Sequence, residues 1–168
     1  IHNKSGISIG YQTPLKIVNC TFSQNTYGLI SDHYSNIQVL NSIFWGNSPE
    51  QNCTYELMYI NDNSLISHCC IRDGATSFPG NNNIYTNPLF ADATNGDFHL
   101  SAGSPCISKG LDPAENSLVP STDLEGNSRP LGSKTDMGAY ECRDDGTVPV
   151  LTTFVLSNEE GGLIDQLI

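Results

Sequence analysis

The six cysteines are the residues of this sequence with the most reactive side chains: Cys20, Cys53, Cys69, Cys70, Cys106 and Cys142. Their spacing fits neither a zinc site nor a redox CxxC motif. The sequence therefore favours disulfides among Cys53, Cys69, Cys70, Cys106 and Cys142, with free buried thiols as the alternative. One of the adjacent pair bonded to Cys106, or Cys106 bonded to Cys142, would tie the C-terminal part to the rest of the chain.

The histidines and carboxylates do not form a recognisable catalytic pattern. Four dispersed histidines are present, and motifs for a serine nucleophile, a phosphate loop or a zinc protease are missing from the sequence. Asp32, Asp62 and Asp73 could line a groove, but nothing in the sequence fixes how they pair. We therefore predict no catalytic residue, no metal site and no cofactor.

Aromatic residues give a clearer indication of binding. Trp45, Tyr34 and Tyr11 fall at the ends of apolar runs, where their rings can stack on the apolar faces of sugars. The alternative for Trp45 is packing under a loop. These three residues are the predicted carbohydrate-binding site.

The charge of the chain excludes several partners. Seven Lys and Arg against eighteen Asp and Glu give a net charge of −11, which repels nucleic acid and anionic lipid. No apolar run approaches the roughly 20 residues of a membrane-spanning helix. We expect a polysaccharide or cell-surface glycan as partner, with neither nucleic acid binding nor a membrane span.

An internal repeat positions these side chains. Residues 17–22 (IVNCTF) align with residues 39–44 (VLNSIF) and then with residues 66–71 (ISHCCI), at offsets of 22 and 27 residues. Each repeat contains short β-branched runs separated by turn residues and lacks helical periodicity. A leucine-rich repeat would need its LxxLxLxxN pattern, and a β-sandwich does not explain repetition at a fixed offset.

Such a short repeat cannot bury its apolar side on its own and must stack on its neighbours. The sequence therefore predicts an all-β fold, a right-handed parallel β-helix with a loop-rich C-terminal cap. Ile17, Val39 and Ile66 should form one apolar ladder along the stack. Asn19 with Asn41, and Asn25 with Asn47, should form hydrogen-bonded ladders in the turns.

Five ordered blocks follow the repeats and resemble a known family. They are the NIYTNPLF, GDFHL, AGSPCI, DLEGNSRP and DMGAYE blocks of residues 83–90, 96–100, 102–107, 123–130 and 136–141. These are similar to blocks of bacterial β-helix proteins with a choice-of-anchor Q domain, whose architecture is related to the pectate-lyase-like superfamily. The resemblance implies a secreted, often cell-surface protein, and hence an extracellular location.

We divide the chain into β-helix coils (residues 1–80), a cap (81–141) and a tail (142–168). In the cap, Arg129 can pair with Asp136 or Glu141, and Asp123 can accept hydrogen bonds from nearby amides, so these charges are predicted to be structural. The tail is interpreted as a linker, a returning strand or an arm for head-to-tail assembly. The first residue is Ile1, and the chain is expected to be a piece of a longer protein.

The predicted function is that of a non-catalytic extracellular structural or adhesive protein, either glycan-binding or a filament subunit. The alternative is a fragment of a polysaccharide lyase or hydrolase whose active site lies on preceding coils. Turnover of a polysaccharide would favour the second, whereas glycan retention without turnover, or assembly, would favour the first.

Overall fold

The computed structural model describes residues 5–31, 34–47, 56–58, 60–72, 80–143, 156–157 and 163–164. Regular structure in these residues is almost entirely β-strand, apart from a 3-10 turn at Ala93–Asn95. This agrees with the predicted all-β class. The described part contains no helix long and apolar enough to cross a membrane.

Nine short strands form three parallel sheets of three strands each. The first sheet contains β1 (Ser5–Ser8), β4 (Tyr27–Ile30) and β7 (Leu57–Met58). The second contains β2 (Leu15–Val18), β5 (Ile37–Leu40) and β8 (Leu65–Ser67). The third contains β3 (Thr21–Phe22), β6 (Ile43–Phe44) and β9 (Cys70–Ile71). Each of three successive passes of the chain thus contributes one strand to every sheet.

The strand registers are those predicted by the repeat. Ile17 pairs with Val39 and Val39 with Ile66 in the second sheet. Phe22 pairs with Phe44 in the third sheet, where their rings stack with centroids 4.7 Å apart. The offsets of 22 and 27 residues in the sequence are therefore the spacing between neighbouring strands.

Side-chain alternation along the strands produces two cores. The inner core lies between the sheets and includes Ile17, Leu29, Val39, Phe44, Ile66 and Ile71. The second core lies on the outer face of the third sheet and includes Ile43, Cys70, Leu100, Cys106, Met137 and Cys142. Because successive residues of a strand point to opposite sides, Phe44 enters the inner core while Ile43 enters the outer one.

Two antiparallel pairs complete the strand content of the described residues. β10 (Phe90–Asp92) pairs with β11 (Asp97–Leu100) around the 3-10 turn, in which the side chain of Asp92 accepts from the backbone of Asn95. β12 (Leu156–Ser157) pairs with β13 (Leu163–Ile164). The rest of the predicted tail beyond residue 143 lies outside the described residues, so its interpretation stays a prediction.

The predicted cap has two parts that dock differently. Residues 81–84 extend the stack beside β8 and β9, with the N–H of Ile71 donating to the carbonyl of Ile84 (2.9 Å). Residues 106–142, here called the strap, instead lie along the side of the first two passes. The N–H of Gly138 donates to the carbonyl of Asn41 (2.7 Å). The C-terminal region therefore covers a flank as well as extending the end.

Asparagines of the turns hold the strap. Nδ2 of Asn41 donates to the carbonyl of Leu111 and its Oδ1 accepts from the N–H of Leu111, both at 2.8 Å. Nδ2 of Asn19 donates to the carbonyl of Asp136 (3.1 Å), and the two asparagines are bonded to each other (3.3 Å). Both have positive φ, of 49° and 50°, a conformation that asparagine tolerates better than most residues.

Candidate functional site

Tyr11 and Tyr34 are brought together on the surface. Their ring centroids are 5.1 Å apart at an interplanar angle of 54°, and 67% and 63% of their surfaces are exposed. They lie in equivalent turns that precede β2 and β5. The buried Ser35 connects these turns, because its hydroxyl donates to the carbonyl of Gly10 (3.0 Å) and accepts from the N–H of Thr13 (3.1 Å).

A shallow groove follows the outer face of the second sheet, and the turns that carry Tyr11 and Tyr34 lead into two of the strands that line it. It is lined by Pro14, Leu15, Lys16, Asn36, Ile37, Gln38, Asn63 and Leu65. Lys16, Gln38 and Leu65 are neighbours in register across the three strands. The groove therefore combines amide and ammonium donors with apolar surface, and the strands β2 and β5 that line it follow the turns of the two exposed tyrosines. This combination suits a sugar, which presents hydroxyls and apolar C–H faces together.

Trp45 does not join the tyrosines in a common site. It follows β6 and is half-buried, packed against the outer core formed by the third sheet and the strap. Its role in carbohydrate binding stays a prediction.

No family model, curated protein or solved structure matches this chain significantly. The candidate sites therefore depend on the geometry of the chain itself.

The predicted disulfides are not found among the described cysteines. No disulfide joins Cys20, Cys69, Cys70, Cys106 and Cys142 to one another. Cys53 lies outside the described residues. Strand alternation places Cys69 in the inner core and Cys70 in the outer core, so the adjacent pair cannot approach a common partner.

Four of these cysteines are buried and Cys20 is partly buried, and their thiols are engaged in hydrogen bonds. Sγ of Cys69 donates to the carbonyl of Ser67 (3.2 Å), and burial raises the pKa of Cys69 to about 12. A hydrogen bond with Cys70, together with burial, raises the pKa of Cys106. Because the thiolate is the reactive form, these thiols are poor nucleophiles at neutral pH.

The four charged residues predicted for the cap form a buried cluster. Arg129 pairs with Glu141 through Nη1, and its Nη2 donates to the carbonyls of Gly138 and Ala139. Its Nε donates to the carbonyl of Thr122 (3.4 Å), so the arginine binds one carboxylate and three carbonyls rather than one carboxylate through two nitrogens. Asp136 and Glu141 are fully buried, whereas Asp123 and Arg129 also line a concavity beside Asn19 and Thr21.

The remaining carboxylates of the cluster accept hydrogen bonds from the backbone. Asp136 accepts from the N–H groups of Ser108 (2.7 Å) and Cys142 (2.8 Å). Asp123 accepts from the N–H groups of Asn127 (2.8 Å) and Glu141 (2.9 Å). These bonds organise the strap, and none of the acceptors faces the surface groove.

A second buried charge, Glu56, was missed by the sequence analysis. Its carboxylate accepts from Nδ2 of Asn47 and forms an ion pair with Nε of Arg72 (3.0 Å). Asn47 in turn accepts from Nδ2 of Asn25 (3.0 Å), as the predicted asparagine ladder requires. Glu56 lies outside the aligned repeat residues, so the sequence did not indicate that its carboxylate would bind the asparagine at the end of this ladder.

His99 connects β11 to the turn at residues 123–126. Its Nδ1 lies 2.6 Å from Oδ1 of Asp97 and its Nε2 lies 3.3 Å from Oε2 of Glu125, while the ring stacks on Tyr140 at 4.1 Å. Partial burial opposes the charged form, but the hydrogen bonds to Asp97 and Glu125 raise the pKa of His99. Both ring nitrogens are engaged, which favours a role in fixing the turn.

Proposed function

We propose that this chain is part of a right-handed parallel β-helix from a non-catalytic extracellular protein of structural or adhesive type, and that it binds a glycan. Three parallel sheets with conserved register across successive passes support the solenoid, since stacked coils produce this arrangement. The extracellular location rests on the resemblance of the five sequence blocks between residues 83 and 141 to choice-of-anchor Q proteins, a resemblance that no family model matches.

The observation that carries the glycan proposal is the exposed Tyr11–Tyr34 pair, on the turns that lead into the strands of the groove. Paired exposed aromatic rings form an apolar surface on which the C–H face of a sugar can stack. The tilt of 54° forms a notch rather than a flat platform, which fits the edge and one face of a sugar ring. Lys16 and Gln38 supply donors for the hydroxyls of the next sugar along the groove.

The lyase or hydrolase alternative has weaker support. Asp123, Asp136 and Glu141 are buried and engaged by backbone amides and Arg129. Asp62 is exposed, whereas Asp32 and Asp73 lie outside the described residues. Head-to-tail assembly also stays a prediction, to be tested by light scattering.

The test is a glycan array, followed by titration calorimetry with the glycans retained. The double variant Tyr11→Ala/Tyr34→Ala should lose at least about tenfold in affinity, because stacking on each ring contributes on the order of 1 kcal/mol. Tyr85→Ala is the matched control, since Tyr85 is also exposed but lies in the C-terminal region. Equal loss in the control, or release of shortened glycan, would overturn the proposal.

A further inference from the structure

A second concavity lies at the opposite end of the second sheet from the tyrosines. Tyr11 and Tyr34 precede β2 and β5, whereas this concavity surrounds the turn that follows β8. Its lining comes from four segments that are separated in sequence: His68, residues 82–84, residues 108–110 and Lys134. The strap therefore completes a pocket that the parallel strands alone do not form.

The pocket concentrates positive charge in an acidic protein. The chain carries seven Lys and Arg in total, and two of them line this pocket, whose lining contains no carboxylate. Arg72 and Arg129 are paired with buried glutamates elsewhere. Lys109 is exposed and forms no ion pair with any of the described residues. This ammonium group is available to a ligand.

Lys134 is held at the edge of the pocket by an acidic neighbour. Its Nζ lies 3.1 Å and 3.2 Å from the two carboxylate oxygens of Glu115, and both side chains are about half exposed. An exposed pair of this kind exchanges readily with water and with other anions. Glu115 is therefore a built-in competitor for any anion that reaches Lys134.

His68 provides a fixed, uncharged wall beside the lysines. Its backbone has a φ of 53°, and its Nε2 lies 2.9 Å from Nδ2 of Asn82. Its Nδ1 is buried and has no hydrogen-bond partner within the described part of the chain. Burial and the charge of Lys134 lower the pKa of His68, so the ring is neutral at pH 7.

We propose that this pocket binds a single anionic substituent of a glycan, a carboxylate or a sulfate, through Lys109 and Lys134. A single charge is specified because the net charge of −11 repels polyanions such as nucleic acid. This inference extends the proposed function by giving the protein a second, charge-selective contact at the far end of the sheet. The inference depends on the proposal that this protein binds a glycan, but it does not require the tyrosine pair to be the binding site.

The test uses four probes in titration calorimetry at low salt: glucuronate, glucose 6-sulfate, glucose and inorganic sulfate. One or both charged sugars should bind, glucose should not, and the charged sugar that binds identifies the substituent. Lys109→Gln should weaken binding about fivefold or more, since it removes a charge-assisted hydrogen bond. Glu115→Gln should strengthen binding by removing the competitor for Lys134.

Two controls separate this proposal from the preceding one. Arg143→Gln removes an exposed cation outside both the pocket and the groove and should leave the affinity for the charged sugars unchanged. Tyr11→Ala/Tyr34→Ala should also leave this affinity unchanged. The proposal for this pocket can therefore hold even if the proposed tyrosine site is wrong. Equal binding of glucose and the charged sugars, binding of inorganic sulfate alone, or unaltered binding by Lys109→Gln would overturn the proposal.

Discussion

At the scale of single residues, the strap contains more buried carboxylates than buried cations. Arg129 faces three carboxylates, those of Asp123, Asp136 and Glu141. Backbone amides stabilise the ionised form of each carboxylate, while burial opposes it. For Asp123 the hydrogen bonds prevail over partial burial and lower its pKa. For Asp136 burial prevails and raises the pKa.

The raised pKa of Glu141 makes the free energy of unfolding depend on pH. Burial and the neighbouring Asp136 raise the pKa of Glu141 to about 7 from its ordinary value of 4.5. The folded state thus holds this proton more tightly than the unfolded chain does. The resulting stabilisation is complete below about pH 4.5 and is lost as the pH rises through 7. We expect the free energy of unfolding to fall between about pH 5 and pH 8, measured by urea denaturation monitored by fluorescence.

Glu141→Gln separates this contribution from that of His99. Glutamine mimics the protonated acid and should reduce the slope between about pH 5 and pH 7. The raised pKa of His99 also stabilises the fold at low pH, but its stabilisation is lost above the ordinary histidine pKa of 6.5. His99→Gln should therefore flatten only the upper part of the curve. An unchanged lower slope in Glu141→Gln would contradict the assignment.

At the scale of elements, the sequence allowed the strands to be predicted much better than the strap. The ladders of Ile17 and of Phe22 follow from offsets that repeat, so pairs of equivalent residues identify the register. The bonds from Asn19 and Asn41 to the strap join residues 70 to 119 positions apart. No periodicity encodes contacts that occur once. The pocket around Lys109 could not be predicted from the sequence for the same reason, because its lining residues come from separate segments of the chain.

Close approach of the strap to the third sheet depends on Gly138. A Cβ at this position would lie 2.8 Å from Cδ1 of Ile43 and 2.9 Å from Oγ1 of Thr21, and the φ is +98°. Gly138→Ala should therefore displace the strap as well as strain its backbone. We expect a loss of about 2–4 kcal/mol in the free energy of unfolding, from overpacking and strain together.

Gly126→Ala is the matched control for this prediction. Its φ of +88° is similar, but a Cβ there meets nothing within 4 Å. It should cost only about 1 kcal/mol, from the backbone alone. Hydrogen exchange should show faster exchange of the Leu111 amide in Gly138→Ala than in Gly126→Ala. Equal stability losses would mean that the strap does not need this close contact.

At the scale of the whole molecule, the chain has few charged residues, and most of those it has are acidic. Charged residues make up only 15% of the chain, because stacked turns use Asn, Ser and Gly in place of ionic groups. The charges that remain are mostly of one sign, giving −11. Compact folding brings these negative charges closer than they are in the unfolded chain, so their mutual repulsion opposes folding.

This repulsion predicts that salt stabilises the protein. The screening length shortens from about 30 Å at 0.01 M to about 10 Å at 0.1 M, which reaches the spacing of surface charges. The melting temperature measured by calorimetry should rise by a few degrees over this range, since 1 kcal/mol corresponds to about 2–4 °C at this size. Asp62→Lys, at an exposed turn, replaces one negative with one positive charge and should show a smaller rise. A melting temperature that falls with salt would instead mean that attractive pairs such as Lys134–Glu115 outweigh the net repulsion.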